Sequence, residues 1–398
     1  MLTLVSACKK TQDPMSMPPT TDTYAVSVVN GYGSGSYKVG DTVHVFSSHY
    51  ANNQLFDKWS GDVTLLKMPA EWHTWFIMPD RNVTLTGSIK SIPPFTLQYE
   101  QIRGKARLKP VYSYFPANHK GVVYLLHGTS GQASSLVNSY EYQLLIRELV
   151  NDNFGVIVTE AEESTTGVDA NGDGKLRWES LPVDTINGVD YANVRLITNV
   201  FYARGTMSRA KPRYSIGMSN GGFYSVALAT AYGYKAGVSY CAQGVPAVVQ
   251  ATQTPVQFCM ARNDSNDGVG QAGNATALTN ANSLNARGVC SKYFVKERCP
   301  VYAERFARRS DITASQSVAI FNELKAKGYI DGKGYYRGTS EVLATAYAGN
   351  PTSFPAINGL TGGQRLFVLE QIELCVSEHQ MFSDFNRATV KFLNIPCQ

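Results

Sequence analysis

The stretch Tyr214-Ser215-Ile216-Gly217-Met218-Ser219-Asn220-Gly221-Gly222-Phe223 constrains this chain more than any other. A β-prone run ends in G-x-S-x-G, and a helical run of small residues follows over 224–231. A strand that turns into a helix within a few residues needs backbone free of Cβ beside the serine. Such a turn lifts the serine hydroxyl clear of the sheet. The helix then aims its first N–H groups at the place where negative charge would develop. Five residues of this pattern recur by chance; the strand before and the helix after make Ser219 a candidate nucleophile.

A serine hydroxyl is a poor nucleophile at neutral pH. It needs a base, a group that orients the base, and donors for an oxyanion. Of the six histidines, His379 in Val376-Ser377-Glu378-His379-Gln380-Met381-Phe382 lies near the C-terminus and is the candidate base. A closing helix with Phe385, Thr389, Phe392 and Leu393 is expected after it. Asp264 follows the apolar run 256–260 and is the expected orienting acid. Asp267 is the alternative, and either carboxylate also suits a helix cap. The oxyanion donors are expected to be the backbone N–H groups of Asn220 and of Thr129 in His127-Gly128-Thr129. His127 is read as a residue that holds that loop.

With 398 residues the chain is long enough for two domains. Residues 1–23 read as a signal remnant and linker, 24–92 as a β-rich domain, and 93–398 as a catalytic domain. Over 24–90 the pattern is all β, with a turn at 30–35. Ile92-Pro93-Pro94 marks the boundary. Beyond it strands and helices alternate, the pattern of an α/β domain with a mostly parallel sheet. The runs 121–126, 154–159, 236–240 and 255–260 are expected strands, and 140–149, 194–202 and 272–286 expected helices. Residues 288–364 are read as an insertion before a last strand at 366–369, forming a small helical cap or a peripheral excursion. Within it, Thr313-Ala314-Ser315-Gln316 begins a helix with a capping box and Gly328 stops it, with Leu324 and Tyr329 in contact. Asp331-Gly332-Lys333-Gly334 reads as a hairpin turn.

Two resemblances follow from these residues. The order of Asn30-Gly31, Gly40-Asp41-Thr42-Val43, Phe56-Asp57-Lys58-Trp59-Ser60-Gly61, Met78-Pro79 and Asn82-Val83-Thr84 resembles the internalin-type B-repeat, a small β-grasp-like surface module. The strand followed by His127-Gly128-Thr129-Ser130-Gly131, the Ser219 elbow, Asp264 and His379, in that order, resembles the α/β-hydrolase superfamily over 95–398. The surroundings of Ser219 are similar to exported polyhydroxybutyrate-depolymerase and feruloyl-esterase-type enzymes. That resemblance implies a doubly wound sheet and a serine esterase needing no cofactor for catalysis. It implies a carboxylic ester substrate, polymeric or glycan-linked. Glu378 departs from the glycine common before the histidine. A serine peptidase with the same triad, or a non-catalytic adhesion or binding lipoprotein, are the alternatives.

Other segments carry separate expectations. Asp169, Asn171 and Asp173 place oxygens at alternating positions before Gly174, which suits either a structural Ca²⁺ or a simple Asx-turn loop. Trp178 is expected to line the substrate cleft or to pack. His44, His49 and His73 read as surface or strand positions rather than ligands. Trp72 and Trp75 suit either carbohydrate binding or packing. Leu4-Val5-Ser6-Ala7-Cys8 resembles the end of a bacterial lipoprotein signal, which implies a lipid on Cys8, export, and membrane contact through that anchor. The six other cysteines then suit up to three disulfides, with Cys290–Cys299 the nearest pair, whereas Cys259 suits a buried thiol. The net charge of +5 is scattered, unlike a nucleic-acid footprint.

Overall fold

The computed structural model describes residues 22–397. The lipoprotein-type segment, Cys8 included, lies outside the described residues. Strands β1 (Thr23–Val29), β2 (Gly31–Tyr32), β3 (Gly35–Lys38), β4 (Thr42–Ser47), β5 (Gln54–Gly61), β6 (His73–Ile77) and β7 (Val83–Ser91) make up the N-terminal segment. They form a four-stranded sheet, β3-β1-β7-β5, and a three-stranded sheet, β2-β4-β6. β1 runs parallel to β7, and the other pairings are antiparallel. Alternation along β1 turns Val26 and Val28 inward, where they join Val45, Phe46, Phe56, Trp59 and Phe76.

Strands β8 (Gln98–Arg103), β9 (Leu108–Tyr114), β10 (Val122–Leu126), β11 (Gly155–Val158), β12 (Arg213–Met218), β13 (Ala236–Tyr240), β14 (Val256–Ala261) and β15 (Ser291–Lys296) form the large sheet. Its order is β15-β14-β13-β12-β10-β11-β9-β8. β8 and β9 pair antiparallel at one edge, β9 pairs antiparallel with β11, and the remaining six strands are parallel. Tyr124 and Leu126 of β10 enter one apolar cluster, and Val123 and Leu125 enter another. Both faces are therefore covered, which is why β10 is apolar at every position. This is a doubly wound, mostly parallel α/β sheet, preceded by a small all-β unit.

The end of the chain differs from expectation. Residues 366–369 are not the last strand; they lie in the helix Gly362–Val376, which starts with a capping box at Thr361. Leu366 is exposed while Val368, Ile372 and Cys375 are buried, a helical spacing that a four-residue apolar run does not reveal. The last strand is β15, whose Lys292 and Lys296 disguise it as a polar stretch. The insertion therefore begins after Lys296 rather than at residue 288. Within it, the helix Ala314–Ala326 carries the capping box at Thr313. Gly328 ends that helix at φ +80°, where Tyr329 N–H reaches Leu324 O at 2.9 Å. Tyr335 O accepts from Asp331 N–H at 2.9 Å, closing the expected turn. Phe306, Ile320 and Leu343 of the insertion share one core with the N-terminal strands and with the Gly362–Val376 helix. Tyr302 stacks on Tyr32 at 4.5 Å.

The cysteines also pair differently. Cys290 is bonded to Cys397, with Cα atoms 5.7 Å apart, and not to Cys299. Strand β15 separates Cys290 from Cys299 and holds them beyond disulfide reach. Cys241, Cys259, Cys299 and Cys375 are buried thiols. His44 of β4 and His73 of β6 hold strand positions, as expected, but are buried, 3.1 Å apart through Nδ1 and Nε2. Trp72 is buried as well, its indole N–H donating to Ser383 O at 3.2 Å, so it packs and does not present its ring to solvent.

Candidate active site

Ser219 stands between β12 and the helix Asn220–Tyr232, at φ 57° and ψ −125°. The turn closes so tightly that a Cβ on Gly217 would sit 2.0 Å from Gly221 O. A Cβ on Gly221 would sit 2.4 Å from the carbonyls of Leu126 and His127. Both positions therefore need glycine, and the strained serine backbone is over-determined by its neighbours.

His379 follows the left-handed Ser377 (φ 68°) that ends the Gly362–Val376 helix. Its Nε2 lies 2.8 Å from Ser219 Oγ, and its Nδ1 lies 2.7 Å from Asp264 Oδ2. Asp264 is buried, and its other oxygen accepts from Asn266 N–H at 3.0 Å. Asp267 is exposed and makes no bond to His379 among the described residues. The structure thus brings Ser219, His379 and Asp264 into one hydrogen-bonded line and leaves Asp267 outside it. With Nδ1–H held by the carboxylate, Nε2 is free to accept the serine proton.

The loop after β10 lies against the serine. A Cβ on Gly128 would be 3.3 Å from Ser219 Cβ. Thr129 N–H and Asn220 N–H have no protein acceptor among the described residues. His127 donates through Nδ1 to Gly128 O at 2.6 Å, and its Nε2 accepts from Ala161 N–H at 3.1 Å. Burial lowers its pKa to about 4, so it is neutral and fixes the loop as expected.

Trp178 is buried and does not line a cleft. Its indole N–H donates to His127 O at 3.0 Å, and its ring stacks on Tyr224 at 4.8 Å. Its backbone N–H donates to Asn220 Oδ1 at 2.7 Å, and its carbonyl accepts from Asn220 Nδ2 at 3.2 Å. It supports the two loops from behind. In the 169–174 loop, Asp169 accepts the amides of Gly172 (2.8 Å) and Gly174 (2.6 Å), which lower its pKa. Asn171 accepts from Asp173 N–H at 3.1 Å, and Asp173 pairs with Arg177. With their oxygens turned to the backbone and a guanidinium on Asp173, these residues form an Asx-turn ladder and do not fit a Ca²⁺ ion.

Several supporting residues carry no sequence signal. Asn263 N–H donates to Ser377 O at 2.9 Å, and Asn263 Nδ2 to Val376 O at 2.7 Å. Arg262 N–H donates to Ser377 Oγ at 2.8 Å, and Ser377 Oγ donates to Lys296 O at 2.6 Å. Glu378 accepts from Ser265 N–H (3.1 Å) and Oγ (2.9 Å). The acid loop and the histidine loop are thereby stitched together. Cys241 Sγ clusters with the ligand atoms of Asp264 and His379 within 4.8 Å. Burial, then the Asp264 charge, raise its pKa far above the ordinary thiol range, so it is a neutral filler there.

No family model and no curated protein matches the chain. Among solved structures it is similar to a dienelactone hydrolase from Anabaena variabilis at 14% identity and TM-score 0.38, covering 51% of this chain and 87% of that one. A ferulic acid esterase aligns at 10% identity and TM-score 0.36, covering 50% and 89%. A Mycobacterium tuberculosis puromycin-hydrolyzing peptidase aligns at 13% and 0.36, covering 65% and 48%. These scores are too low to bear on the chemistry.

Proposed function

We propose that the protein is a serine hydrolase that cleaves carboxylic esters by way of an acyl-enzyme. The observation that carries this reading is the line Asp264–His379–Ser219, with contacts of 2.7 and 2.8 Å. His379 Nε2 takes the Ser219 proton as Oγ attacks the ester carbonyl. The resulting oxyanion accepts from Thr129 N–H and Asn220 N–H. Collapse breaks the ester C–O bond, and His379 gives its proton to the departing alkoxide. Water then attacks the acyl-serine, losing a proton to His379, and the acid leaves as Ser219 recovers its hydrogen. Asp264 holds the imidazole tautomer throughout.

Hydrolysis of p-nitrophenyl acetate by Ser219→Ala tests the reading. Loss of at least about 10³-fold in kcat, with an unchanged circular dichroism spectrum, is expected. Undiminished turnover in that variant sinks it. A parallel comparison with a p-nitroanilide peptide separates ester from amide cleavage.

An exported, lipid-anchored location through Cys8 belongs to the same proposal. The Cys290–Cys397 disulfide supports it, since such bonds persist in oxidising compartments. Mass spectrometry of the N-terminal peptide for a lipid on Cys8 checks it.

A further inference from the structure

We infer that a second site, for a phosphate- or sulfate-type oxyanion, lies at the end of β12 remote from Ser219. It is separate from the ester chemistry and does not rest on it. β12 starts at Arg213 and ends at Met218, so the two sites are roughly 17 Å apart along the strand.

The site is a concavity of about 240 Å³ whose lining includes Arg195, Arg209 and Arg213 with Tyr202, Tyr232 and Tyr234. No carboxylate lines it. None of the three arginines joins an ion pair among the described residues. Two of the guanidiniums are instead propped on phenol rings. Arg209 lies over the Tyr202 ring at 4.5 Å, and Arg213 over the Tyr234 ring at 4.8 Å. The Arg195 charge acts on the Tyr232 hydroxyl, opposing the burial that raises its pKa. Arg213 also reaches Tyr232 O at 3.4 Å, a long contact that leaves its other donors free.

Three cations around one hollow repel each other unless an anion sits between them. The planar forks suit an oxyanion with several acceptor oxygens, and their combined charge favours a doubly charged one.

The test is thermal unfolding of the whole protein with increasing inorganic phosphate, against sodium chloride at matched ionic strength. A saturable rise of about 2 °C at tenfold the dissociation constant is expected. Arg195→Gln with Arg209→Gln, both at exposed positions, should abolish the rise while p-nitrophenyl acetate turnover stays unchanged. Arg213→Gln alone should raise the apparent dissociation constant about tenfold. If the double variant does not fold, this substitution carries the test. Phenyl phosphate in place of phosphate distinguishes the source. Tighter saturation by the monoester assigns a phosphoryl group carried on a larger molecule, and weaker saturation assigns the free ion. A rise matched by chloride, or one that survives both sets of substitutions, overturns the site.

Discussion

Ser219 holds a left-handed backbone (φ 57°) that costs a non-glycine residue about 1–3 kcal/mol. The turn that imposes it closes without room for a Cβ at Gly217 or Gly221. That strain presents Oγ to His379 Nε2, and Asp264 decides whether the imidazole receives its proton. Asp264→Asn is therefore expected to lower kcat about 10⁴-fold, because an amide favours the wrong tautomer. Asp267→Asn should leave kcat unchanged, since its side chain is exposed. Steady-state kinetics on p-nitrophenyl acetate, with both variants side by side, checks the pair. Ser219 and Asp264 were legible in the sequence because each follows an apolar strand, whereas His379 was singled out by its place near the C-terminus although the strand expected before it is the helix Gly362–Val376. Trp178 was ambiguous, because an aromatic near a site lines it or supports it at the same sequence position. Glu378 stood out as a departure, but its bond to Ser265 links residues 113 apart and leaves no local pattern.

The helix Gly362–Val376 and strand β15 meet at the loop that carries Asp264. Ser377 is the joint, accepting Arg262 N–H and donating to Lys296 O within one buried side chain. Ser377→Ala removes both of these bonds, while Arg262 N–H keeps Lys296 O as a backbone acceptor at 3.0 Å. A loss of about 1 kcal/mol in urea unfolding is expected. Because His379 is two residues on, kcat should fall by about tenfold or more while KM changes little. An unchanged kcat in a destabilised variant would limit Ser377 to a structural role. The elements of the sheet centre were readable because strands buried on both faces are apolar throughout, as in β10 and β11. Edge elements were not. β15 carries Lys292 and Lys296 around its apolar residues, β8 has only Tyr99 and Ile102 as apolar positions, and the apolar run 366–369 inside the helix Gly362–Val376 fits either period.

The β unit and the large sheet meet through the residues that follow His379. Trp72 bonds Ser383, and His73 Nδ1 lies 2.5 Å from Asp384 Oδ1. Burial opposes charge on Asp384, but Lys296 at 3.5 Å and His73 outweigh it and hold its pKa below the carboxylate range. Glu71 caps the closing helix Asn386–Asn394, accepting Ala388 N–H at 2.8 Å and Arg387 N–H at 3.3 Å. Burial raises the Glu71 pKa to about 8, although those two amides pull the other way. The folded chain therefore keeps a proton that the unfolded chain releases above the ordinary glutamate pKa. Stability contributed by this group falls as pH rises from about 4.5 to 8, by about 1.4 kcal/mol per pH unit. Glutamine has no such slope. Glu71→Gln should match the wild type near pH 5, where both side chains are neutral. By pH 8 it should be more stable than the wild type by about 4 kcal/mol, three units of that slope. Urea unfolding of both proteins at the two pH values measures the gap. A gap that does not move with pH would mean that Glu71 is ionised in the fold, held by Arg387 and the helix amides rather than neutralised by burial.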